Sequence, residues 1–310
     1  MSATQTVGSE YRVTKRSYAL LVVAAAILML SVFATPPVPP TGSGGVSASQ
    51  ESEEALTESS PRLDTAAGGL IINAHHYNLC SNVCDYARAS SLNLALYLFE
   101  ADGGWSLSLN EACFSDVMNL VERSGRITGY HFAVTKVNVP GCGTYGNAVL
   151  TIGNKVWGAE YQYAGQRLSN GNVVVNNCYV SSSTECRKMV CAKYDVFGIV
   201  TQACSTHLEP NNDDLATLQA NDYTWVGTSW AGGNFRILAG DFNITPDRLH
   251  PVYRDAYRDG IYGNTFNART GLREKIDYIF VQAGPYIPPK AAFCPTDRSD
   301  HCYTSTKVYF

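Results

Sequence analysis

The sequence predicts a layered α/β domain over residues 67–310, and three observations carry that expectation. Apolar runs of strand length alternate with segments whose apolar residues recur at helical spacing. No linker or internal repeat divides the region. The chain of 310 residues is 45% hydrophobic, which is ample for one large core and excludes a wholly disordered protein.

The first strand falls on residues 70–77, and residues 86–99 carry the helical period up to the Gly103-Gly104 break. Residues 105–109 alternate and deliver Asn110-Glu111 at a strand end. A short helix then begins at Ser115, a good N-cap, and stops near Arg123 before Gly125. The middle is strand-rich, at 130–139, 147–152, 173–175, 188–194 and 196–205, with a helix near 215–219. Residues 235–239 form a buried strand running into Gly240-Asp241, and 276–281 and 304–310 are the last strands. Residues 160–186, rich in Tyr, Asn, Ser and Gly, read as an elaborated loop or hairpin.

Ahead of this domain, residues 18–34 form an apolar run preceded by Lys15 and Arg16. Residues 1–34 therefore read as a secretory signal peptide, with a signal anchor as the alternative and the sole route to a membrane. Residues 35–66, rich in Pro, Ser and Glu, bury too little apolar surface to offset chain entropy and read as a disordered linker.

Ten cysteines, all between Cys80 and Cys302, follow the export signal, so disulfides in an oxidising, extracellular compartment are expected. Zinc is disfavoured because no Cys-x2-Cys pair occurs. Local bridges Cys80–Cys84, Cys178–Cys186, Cys191–Cys204 and Cys294–Cys302 would leave Cys113–Cys142, although sequence alone does not fix the connectivity. A net charge of −4 and a pI near 5.9 argue against a surface that coats polyanions in general, while leaving room for a local basic groove.

Several predicted strand ends carry one oxygen or nitrogen ligand: Asn78, Glu111, His207, Asp241, Asn243, Asp277, Asp300 and His301. Each alone has a structural explanation as a cap, a turn or a satisfied histidine. His75-His76, just before Asn78, reads as a structural strand-end pair with a metal role as the alternative, and His131 and His250 have no motif partners.

The order of the motifs adds meaning. Asn78-Leu79-Cys80, Asn110-Glu111-Ala112, Tyr145-Gly146-Asn147-Ala148-Val149-Leu150, Ser205-Thr206-His207-Leu208-Glu209, Gly240-Asp241-Phe242-Asn243, Lys275-Ile276-Asp277-Tyr278-Ile279-Phe280 and Ser299-Asp300-His301 together resemble the endonuclease/exonuclease/phosphatase superfamily. This is the deoxyribonuclease I-like group, which also holds sphingomyelinases and inositol-polyphosphate phosphatases. The resemblance implies an α/β (α+β) four-layered sandwich, two mixed β-sheets flanked by helices. It also implies roles. Glu111 is the main Mg2+ ligand (Mn2+ or Ca2+ being alternatives), with Asn78 beside it and Asp300 as a second acidic ligand. Asp241 and Asn243 position the attacking water and a phosphoryl oxygen. His301 stands next to the scissile phosphate with Asp277 orienting its imidazole, His207 is a second proton carrier, and Asn147 and Lys275 contact substrate. Independently of the family, an imidazole needs a partner on its distal nitrogen to fix its tautomer, which an Asp–His pair supplies.

The function so implied is a secreted, divalent-metal-dependent phosphodiesterase, with nucleic acid, DNA first, as its substrate. A sphingomyelinase-like or other phosphoesterase acting on lipid or small-molecule phosphates is the alternative. An inactive binding or toxin-like module is a third reading. Candidate basic contacts are Lys136, Lys155, Arg187, Lys188, Arg273, Lys275 and Arg298, and no stable protein partner is indicated.

Overall fold

Two sheets lie face to face, each covered on its outer face by helices. The computed structural model describes residues 70–80, 88–163, 166–167, 173–174, 180–181, 185–267, 273–282, 288–294 and 299–309. The signal and linker expectations, and Cys84, Cys178 and Arg298, lie outside the described residues.

The first sheet contains β1 (Ile71–Asn78), β2 (Ser106–Cys113), β3 (Gly129–Val139), β4 (Gly143–Thr151) and β11 (Thr304–Tyr309), in the order β11-β1-β2-β4-β3. The second contains β5 (Asn154–Gln162), β6 (Lys188–Val196), β7 (Ile199–His207), β8 (Phe235–Asp241), β9 (Tyr257–Asp259) and β10 (Asp277–Gln282), in the order β9-β10-β8-β7-β6-β5. Each sheet is mixed, with one parallel pair at its centre: β1 with β2, and β7 with β8. Helices α1 (Arg88–Ala101) and α2 (Phe114–Arg123) cover the first sheet, and α3 (Asp213–Ala231) covers the second.

Period-two alternation explains the layering. On β1, Tyr77 packs with Phe99 and Leu96 of α1, while Ile72 and Ala74 face Ile237, Ala239 and Ile279 of the other sheet. Further along the interface Ala133 and Val149 meet Val190, Ala192 and Ala203. The expected four-layered sandwich is therefore the observed architecture. Many tyrosines serve the core: Tyr77, Tyr163, Tyr194, Tyr223, Tyr253, Tyr257 and Tyr278 are fully buried.

Three element expectations change. The strand through residues 105–109 does not end at Asn110-Glu111; β2 continues to Cys113 past a bulge between Leu109 and Ala112. Glu111 adopts φ 51° there, the irregularity by which a bulge re-aims one side chain. The N-cap of α2 is Cys113, and Ser115 instead accepts from Arg88 Nη2 at 2.8 Å. The helix expected near 215–219 runs through nineteen residues from Asp213. Its sequence is poor in strong helix formers, and burial of Ala216, Ala220, Tyr223 and Val226 against the second sheet overrides that propensity. Its start is legible: Asn212 accepts from Leu215 N at 3.0 Å.

Disulfides Cys113–Cys142, Cys191–Cys204 and Cys294–Cys302 match the expected pairs. Cys191 and Cys204 are direct partners across β6 and β7, with Cα atoms 4.1 Å apart. Cys80 and Cys186 are disulfide-bonded as well, and no described cysteine is free. Such a framework belongs to an oxidising environment. Among the described residues no helix is long and apolar enough to cross a membrane.

Candidate active site

The two parallel strand pairs end side by side, and their C-terminal residues converge. Asn78 closes β1, Glu111 sits on the bulge of β2, His207 closes β7 and Asp241 closes β8. Register then fixes the neighbours: Asp241 is the Cα partner of His207 on one side and of Asp277 on the other. The approach of β8 to β7 requires a glycine before the aspartate. A Cβ at Gly240, whose φ is 154°, would lie 2.1 Å from Thr206 O.

Asp241 is the hub. Its Oδ2 lies 3.6 Å from His207 Nε2, 3.5 Å from His301 Nε2 and 3.1 Å from the donating Asn78 Nδ2. Its backbone N–H donates to Asn110 Oδ1 at 2.8 Å, and its Oδ1 accepts from Asn243 N at 3.0 Å. Asn78 Nδ2 also donates to Glu111 Oε1 at 3.2 Å, and burial, reinforced by the Glu111 charge, raises the Tyr145 pKa. Glu111 Oε2 is buried with no donor.

Behind His301, Asp277 accepts from Nδ1 at 2.9 Å through Oδ2 and 3.1 Å through Oδ1. Asp277 N in turn donates to Thr265 Oγ1 at 2.8 Å. On the opposite flank His207 Nδ1 lies 3.8 Å from Glu185 Oε1, and Glu185 is paired with Arg187 at 3.0 Å.

The two imidazoles are tuned apart. Burial disfavours a charged His301, but the Asp277 and Asp241 carboxylates outweigh it and raise the pKa to about 10. His207 is driven well below its ordinary value by burial, reinforced by the charges of Arg187 and His301. Burial pushes Asp241 well above the usual carboxylate range despite His301. Asp277 is also buried, yet the charge and hydrogen bond of His301, joined by His76, hold it below that range. These directions favour a charged His301–Asp277 pair and disfavour a charged His207.

The structure thus brings together Asn78, Glu111, His207, Asp241, Asp277 and His301. Asp300 is half-buried beside His301 in the chain, and its charge helps to hold that imidazole protonated. Asn243 adopts φ 52° and donates through Nδ2 to Leu208 O at 3.0 Å. Two expected substrate contacts are otherwise committed. Asn147 is buried, accepts from Asn110 Nδ2 at 3.0 Å and donates to Lys188 O at 2.9 Å. Lys275 Nζ meets Asp259 Oδ2 and Ile261 O, each at 2.9 Å.

Tyr145, Glu185 and His76 are the neighbours that sequence reasoning did not place. Glu185 had one usable signal, the adjacent disulfide-bonded Cys186, whose N–H donates to Thr135 O at 2.9 Å and ties this segment to the first sheet. Among metal-capable groups of the described residues, Asp241, Asp277 and His301 lie within 4.8 Å of one another.

No family model matches the sequence, and no curated protein does. Solved structures do match in three dimensions. A mannosyl-6-phosphatase from Bacteroides thetaiotaomicron aligns with TM-score 0.58 and 15% identity over 77% of this chain and 100% of its own. An endonuclease/exonuclease/phosphatase family protein from Leptotrichia buccalis gives 0.58 and 13% over 76% of this chain and 98% of its own. TDP2 from Caenorhabditis elegans gives 0.53 and 12% over 78% of this chain and 75% of its own. The motif order and the three-dimensional likeness agree: this chain has the endonuclease/exonuclease/phosphatase fold.

Proposed function

We propose that the chain is a divalent-cation-dependent phosphoester hydrolase. One observation carries the reading: Asp241 Oδ2 stands between two imidazole Nε2 atoms at 3.6 and 3.5 Å, one of them on His301, whose Nδ1 is held by Asp277. A raised carboxylate suits a general base near neutrality, and a charged imidazole suits a donor to oxygen.

In this reading Asp241 Oδ2 accepts the proton of the attacking water as its oxygen bonds to phosphorus. His301 Nε2 supplies the proton that the leaving oxygen takes when its bond to phosphorus breaks. Asp277 keeps the His301 proton on Nδ1 oriented, and Asn243 and His207 border the phosphoryl oxygens. Glu111 fits a hard cation, because a buried carboxylate oxygen without a donor is otherwise costly. Glu111, Asn78 and Asp300 would hold Mg2+, or Mn2+ or Ca2+, which when bound neutralises charge on the phosphate.

Nucleic acid, DNA first, is the substrate we assign, in a secreted protein whose disulfides suit an extracellular setting. Arg187, itself paired with Glu185 at 3.0 Å, is a cation beside the site. A small phosphate monoester is the second reading, prompted by likeness to a mannosyl-6-phosphatase. The test is a panel of plasmid DNA, sphingomyelin and mannose 6-phosphate offered to the full chain with Mg2+ or chelator. Metal-dependent cleavage of DNA alone supports the assignment; turnover confined to the monoester replaces it with the second reading, and turnover of none contradicts both.

A further inference from the structure

His76 lies behind the site, is fully buried, and touches the machinery through Asp277. Its Nε2 is 3.1 Å from Asp277 Oδ1, and its Nδ1 is 3.2 Å from Ser108 Oγ. An ionised carboxylate only accepts, so the proton is on Nε2, and the Ser108 hydroxyl then donates to Nδ1. Register produces this arrangement: Ser108 is the Cα partner of His76 across the parallel pair β1–β2, and Asp277 opens β10 in the facing sheet.

Asp277 therefore accepts from two imidazoles, His76 on Oδ1 and His301 mainly on Oδ2. A carboxylate held by a single donor keeps a soft terminal torsion and can turn its oxygens away from that donor. A second donor on Oδ1 removes that freedom, leaving Oδ2 aimed at His301 Nδ1.

We propose that His76 is a positioning residue of the hydrolytic machinery, whose Nε2–H locks the Asp277 carboxylate so that it holds His301 in the orientation that serves the cleft; this rests on the hydrolase reading above. The competing view is that His76 only ties the two sheets together.

The test compares His76→Leu with His76→Gln in the full chain. Glutamine restores an amide donor near the Nε2 position, whereas leucine offers none. The leucine variant is expected to lose about 10- to 100-fold in kcat, the rate equivalent of one hydrogen bond to a charged group, with KM unchanged. The glutamine variant should recover most of that loss. Wild-type kcat in the leucine variant, or equal losses in both, overturns the proposal.

A second readout needs no substrate and so separates failure of this inference from failure of the hydrolase reading. Proton NMR with 15N-labelled histidine should show, among the sheltered imidazole N–H protons, those on His301 Nδ1 and His76 Nε2. In His76→Leu the His301 proton should exchange faster and shift, and in His76→Gln it should stay. Absence of the His76 Nε2 proton from the wild-type spectrum, or an unaltered His301 proton in His76→Leu, overturns the proposal, and the wild-type spectrum decides it even if the leucine variant does not fold.

Discussion

Asp241 and Asp277 are direct cross-strand partners on β8 and β10, both buried, and the His301 imidazole spans them. Its Nε2 is 3.5 Å from Asp241 Oδ2 and its Nδ1 is 2.9 Å from Asp277 Oδ2. Like charges directly opposed on a sheet repel, and burial makes the repulsion worse. One shared imidazolium offsets it, which is why the His301 pKa rises to about 10.

Removing that cation strands two carboxylates. His301→Leu is expected to lower stability at pH 7 by about 3–5 kcal/mol, the usual cost of breaking a buried pair, measured by urea unfolding. Because the folded pKa of His301 lies above its ordinary 6.5, its contribution is complete below pH 6.5 and is lost as pH rises through about 10. The wild-type protein should lose stability over that window, and the variant should lack that component.

Asp277→Asn keeps the size of the side chain but exchanges a pure acceptor for an amide. By analogy with other carboxylate–histidine pairs, kcat should fall by about 10²- to 10⁴-fold as the imidazole loses its oriented tautomer and its charge partner. Steady-state kinetics at saturating metal would measure this, and circular dichroism would show the fold retained.

Acid should destabilise the protein through a different histidine. His75 is buried, Tyr303 Oη lies 2.9 Å from its Nδ1, and burial lowers its pKa from 6.5 to about 3 despite Asp102. Between those values the unfolded chain binds more protons, so stability falls as pH falls, by about 1.4 kcal/mol per unit. Urea midpoints from pH 6.5 to 4 should be steeper for wild type than for His75→Gln.

The Cys191–Cys204 bridge staples β6 to β7 three residues before His207. Replacing both cysteines with alanine should cost about 2–5 kcal/mol in urea unfolding under oxidising conditions. A thiol-treated wild type should unfold still more readily.

Much of the site was legible because strand ends announce themselves. Gly240-Asp241-Phe242-Asn243 and Lys275-Ile276-Asp277 carry their chemistry at the junction of an apolar run and a turn, and register then brings Asp241 between His207 and Asp277. What stayed hidden depended on spatial neighbours. Lys275 reads as a phosphate contact, and its ion pair with Asp259, sixteen residues earlier, is not visible in the sequence. Glu185 and Tyr145 lie on segments whose proximity to His207 and Glu111 is set by strand pairing within each sheet, between residues far apart in the chain. His76 looked structural because its partner is 201 residues away. The length of α3 was invisible to propensity, since packing of Gly227 against Leu238 and burial of Tyr223 sustain it.

The most direct test of the central claim is nicking of supercoiled plasmid by the full chain, with Mg2+ or chelator, beside Asp241→Asn. Nicking by the wild type that needs Mg2+, and a variant at least about 10²-fold slower though folded, is the predicted result. Equal nicking by the two proteins, or nicking by the wild type that survives the chelator, would contradict it.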